Sequence, residues 1–235
     1  MKLLFIATLI SFAQSLQVIR VKNIPKQQTK PTPLPSPVDF FSTEQWRPIE
    51  KDLNSAPVFA VVTPDGLPFQ YSSQKTPHFY CDADDALDVL AKIQSKTNVK
   101  GFNVVPFPLG EAFELYSNNK ATIVPSQKAM IEAGGSTDIN PVGQQVPLFG
   151  CLDITETTVD GRQRVPLFMS LVDARKAIKK AAKRSSGVEL EDLEMTCLSL
   201  SGVVEHMTTY PNASGFSFVP PASSREYVSA YYHET

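Results

Sequence analysis

The chain repeats itself, and that repetition limits its fold more than any other feature of its sequence. The stretch "APVFAVVTPDGLPF" begins at Ala56, and about ninety residues later "VPLFGCLDITETTVDGRQRVPLF" begins at Val146. Both open with a proline-led apolar run that reads as a strand, turn at an Asp-Gly pair, and return through a second apolar run, as a β-hairpin does. Each hairpin is followed by a stretch of helical spacing. In "DADDALDVLAKIQSK" the apolar positions Ala86, Leu87, Leu90 and Ile93 recur at that spacing, Asp82 is placed to cap the first turn, and Asp84 and Asp85 lie where the helix dipole favours negative charge. In "SLVDARKAIKKAAKR", Ser170 and Asp173 are spaced as a capping box.

The order continues in parallel. The first half runs on through a strand "FNVVPFPL", a short helix "GEAFELYS", a strand "ATIVPS" and a helix that stops at "AGG". The second half runs through a strand around "EMTCLSL", then "SGVVEHM", a strand "GFSFVPP" and "ASSREYVSAYY", where Ser223 or Ser224 is placed to start a helix. Five landmarks keep their sequence: Pro57 and Phe59 match Pro147 and Phe149, Phe79 matches Phe168, Asp85-Ala86 matches Asp173-Ala174, Gly110 matches Gly202, and Val124-Pro125 matches Val219-Pro220. Each is weak alone, because Pro-x-Phe is common in strands. Their shared order points to an internal duplication, with repeat one at 56–133, repeat two at 146–232 and a connector at "GGSTDINPVGQQ". A unit of 80 to 90 residues buries modest apolar area, so the halves are expected to share a core or a sheet about a pseudo-twofold axis. The expected class is α+β, two pseudo-symmetric lobes with mixed sheets flanked by helices. A short amphipathic segment, "STEQWRPIEKDL", precedes both repeats, with Ser42 or Thr43 as its cap, Trp46 on the core, and Pro48 breaking or restarting it.

The start of the chain is different in kind. "MKLLFIATLISFAQSLQ" has a basic n-region at Lys2, a ten-residue apolar run from Leu3 to Phe12 and small residues at Ala13 and Ser15. It reads as a secretory signal peptide, residues 1–15, cleaved after Ser15. That run is too short to span a bilayer, for which about 20 residues are needed. Residues 16–38 hold five prolines between Pro25 and Pro37 and no acid before Asp39, so they form a transit-peptide-like or disordered segment. A signal peptide followed directly by such a segment resembles the bipartite address of proteins imported into plastids of secondary endosymbiotic origin. Residues 1–38 carry Lys2, Arg20, Lys22, Lys26 and Lys30, a charge of +5, leaving 17 basic against 24 acidic residues in the remainder, a balance of -7. No block of one sign marks a nucleic-acid surface.

Catalytic chemistry is scarce. His78 lies three residues before Cys81, but on a strand their side chains take opposite faces, so a half-exposed strand histidine is expected rather than a nucleophile-base pair. His206 and His233 have no partner at metal-ligand spacing, and the expectation is neither metal nor cofactor. "EAGGSTD" lacks the Gly-Lys-Ser/Thr of a phosphate loop and reads as a helix stop. Lys179, Lys180, Lys183 and Arg184 complement a helix C-terminus. Cys81, Cys151 and Cys197 are odd in number and widely spaced, which fits buried thiols better than a disulfide framework. What recurs instead is phenylalanine at strand ends: Phe59, Phe69, Phe79, Phe107, Phe149, Phe168, Phe216 and Phe218. Most are core filler. The candidates for an apolar peptide-binding groove between the halves are Phe59, Phe69, Phe107, Phe149 and Phe168.

"LNSAPVFAVVTPDGLPF", "DADDALDVLAKI", "FNVVPFPLGEAFEL", "VPLFGCLDI" and "RVPLFMSLVDARKAI" resemble in type and order the Tic-twenty-two family, the soluble chloroplast translocon component found between the envelope membranes. The resemblance covers Leu53 to Tyr232 and makes 39–235 one domain. It implies a two-lobed α+β fold with apolar pockets and no enzymatic activity. It also implies a chaperone-like role in passing preproteins across the intermembrane compartment of a complex plastid, with preproteins and translocon components as partners, peripheral contact with an envelope membrane or membrane complex, and no nucleic acid. Two other readings stand beside it. One is a structural adaptor docked on a plastid membrane complex; the other is a secreted globular protein, for which the sequon at Asn212 would be glycosylated.

Overall fold

A computed structural model describes residues 16–18, 40–70, 76–96, 100–158, 161–185, 189–210 and 215–233. The cleavage point after Ser15, the rest of the leader, Asp160 of the second turn, and Asn212 lie outside them. Among the described residues no helix is long and apolar enough to cross a membrane.

Helix α1, Trp46–Leu53, buries Trp46, Ile49 and Leu53, spaced as one apolar stripe. Pro48 sits in its first turn, where the missing N–H has no helical partner to lose, so it neither breaks nor restarts the helix. The expected cap is absent: Gln45 precedes the helix with no side-chain bond, and the Thr43 hydroxyl donates instead to the Phe40 carbonyl at 2.7 Å. The first half then forms β2 (Pro57–Val62), β3 (His78–Tyr80), α2 (Ala83–Lys96), β4 (Asn103–Pro108), α3 (Leu109–Ser117), β5 (Thr122–Val124) and α4 (Gln127–Glu132). The expected return strand "LPFQY" is no continuous strand. Proline at 68 removes a donor, and the segment is held by the Phe69 N–H on the Val61 carbonyl at 2.7 Å and by isolated pairing of Val62 with Pro68. The second half forms β6 (Pro147–Gly150), β7 (Ile154–Thr157), β8 (Gln163–Phe168), α5 (Leu171–Arg184), a 3-10 turn at Leu190–Asp192, β9 (Thr196–Ser199), α6 (Leu200–Thr209), β10 (Gly215–Val219) and α7 (Ala222–His233). One further strand, β1 (Leu16–Val18), precedes them all.

Both halves have one sheet topology. The first sheet runs β4-β2-β3-β5, with β2 antiparallel to both neighbours and β3 parallel to β5. In the second, β9, β6, β8 and β10 repeat that order and those directions. Backbone bonds at strand ends recur too: Cys81 N–H to Val124 O at 2.9 Å answers Met169 N–H to Val219 O at 3.0 Å, and Leu109 N–H to Ala56 O at 3.2 Å answers Leu200 N–H to Val146 O at 2.9 Å. These bonds correct two landmarks by one residue. Phe168 stands where Tyr80 stands, since Phe149 pairs with Phe168 as Phe59 pairs with Tyr80, and Gly110 corresponds to Ser201. A one-residue slip reverses the face of a strand side chain, so Phe79 turns to the central core while Phe168 turns outward.

The central core lies between the sheets and is closed by α1, α3 and α6, through Trp46, Phe79, Leu109, Leu148, Leu167 and Leu200 among others. Gly110 allows α3 to approach α1, because a Cβ there would come within 2.9 Å of the Glu50 carbonyl, and its N–H bonds Asn54 Oδ1 at 2.7 Å. The outer sheet faces show an exchange. Val228 and Tyr227 of α7, from the second half, pack on the first sheet with Phe59, Tyr80 and Ala86. Ala129 of α4, from the first half, packs with Phe149, Phe168, Ala174 and Val219 of the second. Helix ends lock both junctions. Ser223 and Ser224 hydroxyls donate to Asp82 Oδ1 at 3.2 Å and the Ala83 N–H donates to Ser224 Oγ at 3.0 Å, while the Leu171 N–H donates to Glu132 Oε2 at 3.2 Å and the Ala222 N–H to Asp173 Oδ2 at 2.9 Å.

Candidate peptide-binding surfaces

The five candidate phenylalanines fall in three separate places. Phe59 is buried under α7, its ring 5.6 Å from that of Tyr227 in an edge-on contact. Phe149 and Phe168 are cross-strand partners in the outer core of the second half, exposed by 2% and 3%. These three form core and no surface in this conformation. Phe69 and Phe107 are half-buried. Phe69 meets Phe102 edge-on at 5.8 Å on the first half's outer cluster, whereas Phe107 lies over Phe79 at 4.8 Å on the central core. They sit on opposite faces of the first sheet, so no single groove contains the set.

A cavity of about 250 Å³ lies elsewhere, between α1, the start of β8 and the end of α6. Ile49, Pro48 and Met207 supply apolar wall, and Arg162, Arg164 and Tyr210 supply polar groups. It is smaller than the ~300 to 1,000 Å³ typical of a small-molecule site, and suits one side chain of a longer ligand. Its polar wall includes an ion pair between Arg164 and Asp52, both largely buried, and Arg164 Nη1 also donates to the Phe216 carbonyl at 3.0 Å. Burial raises the Asp52 carboxyl above its ordinary range, against the opposing pull of the Arg164 hydrogen bond and charge. Sequence reading missed this pair. Its one signal was an arginine beside the apolar run of the strand "RQRVPLF".

The remaining polar residues are placed as follows. His78 is buried rather than half-exposed, because β3 is an inner strand between β2 and β5; burial lowers its pKa. Cys81 and Cys151 are buried, and burial raises both thiols, while Cys197 is exposed on edge strand β9 against expectation. Lys179, Lys180, Lys183 and Arg184 are exposed along the C-terminal half of α5. No group of three or more His, Cys, Asp or Glu among the described residues is arranged to hold a metal ion.

The class of protein is defined by this fold: two α+β halves whose sheets, of four and six strands, share a four-stranded topology, back to back across a common core, each half covering the other with its last helix. Among solved structures it is the Tic22 fold. Tic22 from Plasmodium falciparum superposes with a TM-score of 0.65 at 19% identity, covering 80% of this chain and 100% of that one. Anabaena Tic22, described as a protein-transport protein, superposes at 0.59 with 18% identity, covering 80% and 97%. At such identities the fold is what is shared, and it is the fold that the sequence resemblance implied. No protein-family model and no curated protein matches the chain.

Proposed function

We propose that this chain is a non-enzymatic, chaperone-like carrier that holds preproteins in transit between the envelope membranes of a plastid. The observation that carries the reading is coverage: this chain spans the whole of Plasmodium falciparum Tic22 and nearly the whole of the Anabaena protein, whose description is protein transport. The acid-free leader after a signal peptide supports a plastid address. Half-buried Phe69 and Phe107 and the cavity at Ile49 and Met207 supply apolar contacts at the surface for an unfolded segment.

Cross-linking in isolated plastids tests the reading. Capture of leader-bearing preproteins is the expected result, and co-purification with one membrane complex at fixed stoichiometry without captured preprotein marks an adaptor instead. A tagged chain that passes the Golgi with Asn212 glycosylated overturns the plastid address. On the binding surface, Phe107→Ala is expected to weaken binding of an unfolded peptide more than it lowers folding stability. A stability loss of roughly 3 to 5 kcal/mol, the usual penalty for truncating a buried aromatic, assigns the position to the core.

A further inference from the structure

The second sheet has an edge that the first lacks. In the first half β4 pairs with all of β2, from Pro57 to Val62. In the second half β9 pairs only with β6, and the line of β6 resumes as β7 after the turn at Cys151, where the Ile154 N–H bonds the Cys151 carbonyl at 3.1 Å. The inner edge of β7 is taken by β8, through Glu156 opposite Arg164 and Thr157 opposite Gln163. Its outer edge lies beyond the reach of β9. Unpaired strand edges recruit extended chain, because their backbone groups are already aligned for a ladder.

What occupies that edge is the chain's own leader. Leu16, Gln17 and Val18 lie antiparallel on Glu156, Thr155 and Ile154. The edge has an apolar bed, since Ile154 packs with Cys151, Ile178 and Ala181 and with half-buried Leu193 and Met195. Three paired residues make a weak ladder by themselves. Belonging to the same chain raises their effective concentration, typically to the order of millimolar for linked segments, which a second strand can match. Charge near the bed is mixed, with Glu189, Glu191, Asp192 and Glu194 in and around the 3-10 turn and Lys176, Lys179, Lys180 and Lys183 on α5. Selection therefore rests on backbone pairing more than on charge.

We propose that the outer edge of β7, Ile154–Thr157, is a strand-addition site for an extended leader segment of a second protein, and that this chain's own Leu16–Val18 fills it until displaced. The partner is recognised by an extended run with apolar residues at alternate positions and no proline at the paired ones, as in "LQV". Cleavage after Ser15 leaves this strand at the start of the processed chain. The identity of the partner rests on the carrier role proposed above; pairing at the edge does not.

Hydrogen exchange on the chain beginning at Leu16 tests both. The Thr155 amide faces the leader, because the Thr158 N–H, an odd number of residues along the strand, bonds the Arg162 carbonyl on the β8 side. It is expected to exchange at least tenfold faster in the Gln17→Pro variant, which removes the leader's donor opposite Thr155 and leaves every core residue in place. A synthetic peptide of residues 16–23, added at millimolar concentration, is expected to restore protection, and the same peptide carrying Gln17→Pro is not. Equal exchange in wild type and variant, or no restoration by peptide, overturns the proposal. The Gln17→Pro chain is also expected to hold an unfolded, leader-bearing preprotein several-fold more tightly than wild type. If both hold it equally, the edge is no docking site and the carrier role stands. If neither holds it, the carrier role fails while the exchange result still decides the pairing.

Discussion

The two halves build the same sheet from different parts. Their long helices are equal, 14 residues each in α2 and α5, but their last helices are not: α4 has 6 residues and α7 has 12. Because each last helix covers the opposite sheet, the first sheet receives the longer cover and fills its outer face with Phe59, Tyr80 and Tyr227, while the second closes over Phe149 and Phe168 with Ala129. The backbone ladder is kept and side-chain volume is traded across it. Each half's outer face is buried in part by its own long helix and in part by the other half, which ties the pair into one folding unit.

The largest expected effects test that unity. Phe59→Ala and Phe149→Ala are each expected to cost roughly 3 to 5 kcal/mol, since both rings are buried and the sites are close-packed. If the halves are one unit, the two variants unfold in urea with a single transition, seen at the same midpoint by far-ultraviolet circular dichroism and by the fluorescence of Trp46, the only tryptophan in the chain. Non-coincident midpoints in either variant would show that the exchanged helices do not couple the halves.

The next effect has no counterpart across the axis. Arg164 corresponds to Thr76 in the first half, by the register that aligns Phe168 with Tyr80, so the pair with Asp52 belongs to the second half's contact with α1 alone. Asp52→Ala is expected to cost about 3 kcal/mol, most of it from leaving the buried Arg164 guanidinium without its carboxylate hydrogen bond, held by the Phe216 carbonyl and the charge of its cross-strand neighbour Glu156. Replacing both, as Asp52→Leu with Arg164→Met, is expected to recover most of that loss in thermal denaturation. A double variant as unstable as the single one would mean that the charges contribute more than their desolvation costs.

A smaller difference marks where β6 ends. Gly150 corresponds to Ala60, yet a Cβ on Gly150 would meet the Pro166 carbonyl and Leu167 Cδ2, each at 2.9 Å. One of those contacts is backbone and cannot swing aside. Gly150→Ala is expected to cost about 2 kcal/mol, in the range of overpacked cores, and the reverse change at the matching site, Ala60→Gly, less than half of that. Equal costs from chemical denaturation would show that the strand gives way at β6 without strain.

Much of this was legible in the sequence, and what was not has physical reasons. Hairpin order, helix order and α+β class follow from local periodicity, and the Ser170 cap is present, its Oγ accepting the Asp173 N–H at 3.3 Å. Periodicity shows that a helix has an apolar stripe but not what it covers, so the exchange of α4 and α7 had no local sign. The Phe79 and Gly110 landmarks slipped by one because matching letters ignores which face a strand residue takes. Phenylalanine at strand ends has the same local pattern whether the end is capped by a helix, as at Phe59, or half open, as at Phe107, so the candidate surface could not be separated from core. Leu16–Val18 gave no strand signal, since three residues before a proline-rich basic stretch read as linker.

The smallest effect separates the matched acids at the starts of α2 and α5. Asp85 is crowded by Asp82, Asp84 and Asp88, and burial first, then the Asp82 charge, push its pKa up to about 6, with the Ser126 hydroxyl pulling it down. Its counterpart Asp173 accepts the Ala222 N–H at 2.9 Å and has Lys176 at 3.8 Å. A carboxyl whose folded pKa exceeds its unfolded one stabilises fully below the unfolded value, near 4, and loses that contribution as pH rises through 6. Asp85→Asn, which stays neutral, is therefore expected to raise stability at pH 8 by roughly 1 to 2 kcal/mol, less than the full shift would give because the group is partly solvated, and to change little at pH 4. Asp173→Asn, which weakens a charge-assisted bond to the start of α7, is expected to lower stability at pH 8 instead. Thermal melts of both variants at the two pH values decide it: effects of the same sign at pH 8 would mean that the two helix starts carry the same electrostatics despite their different neighbours.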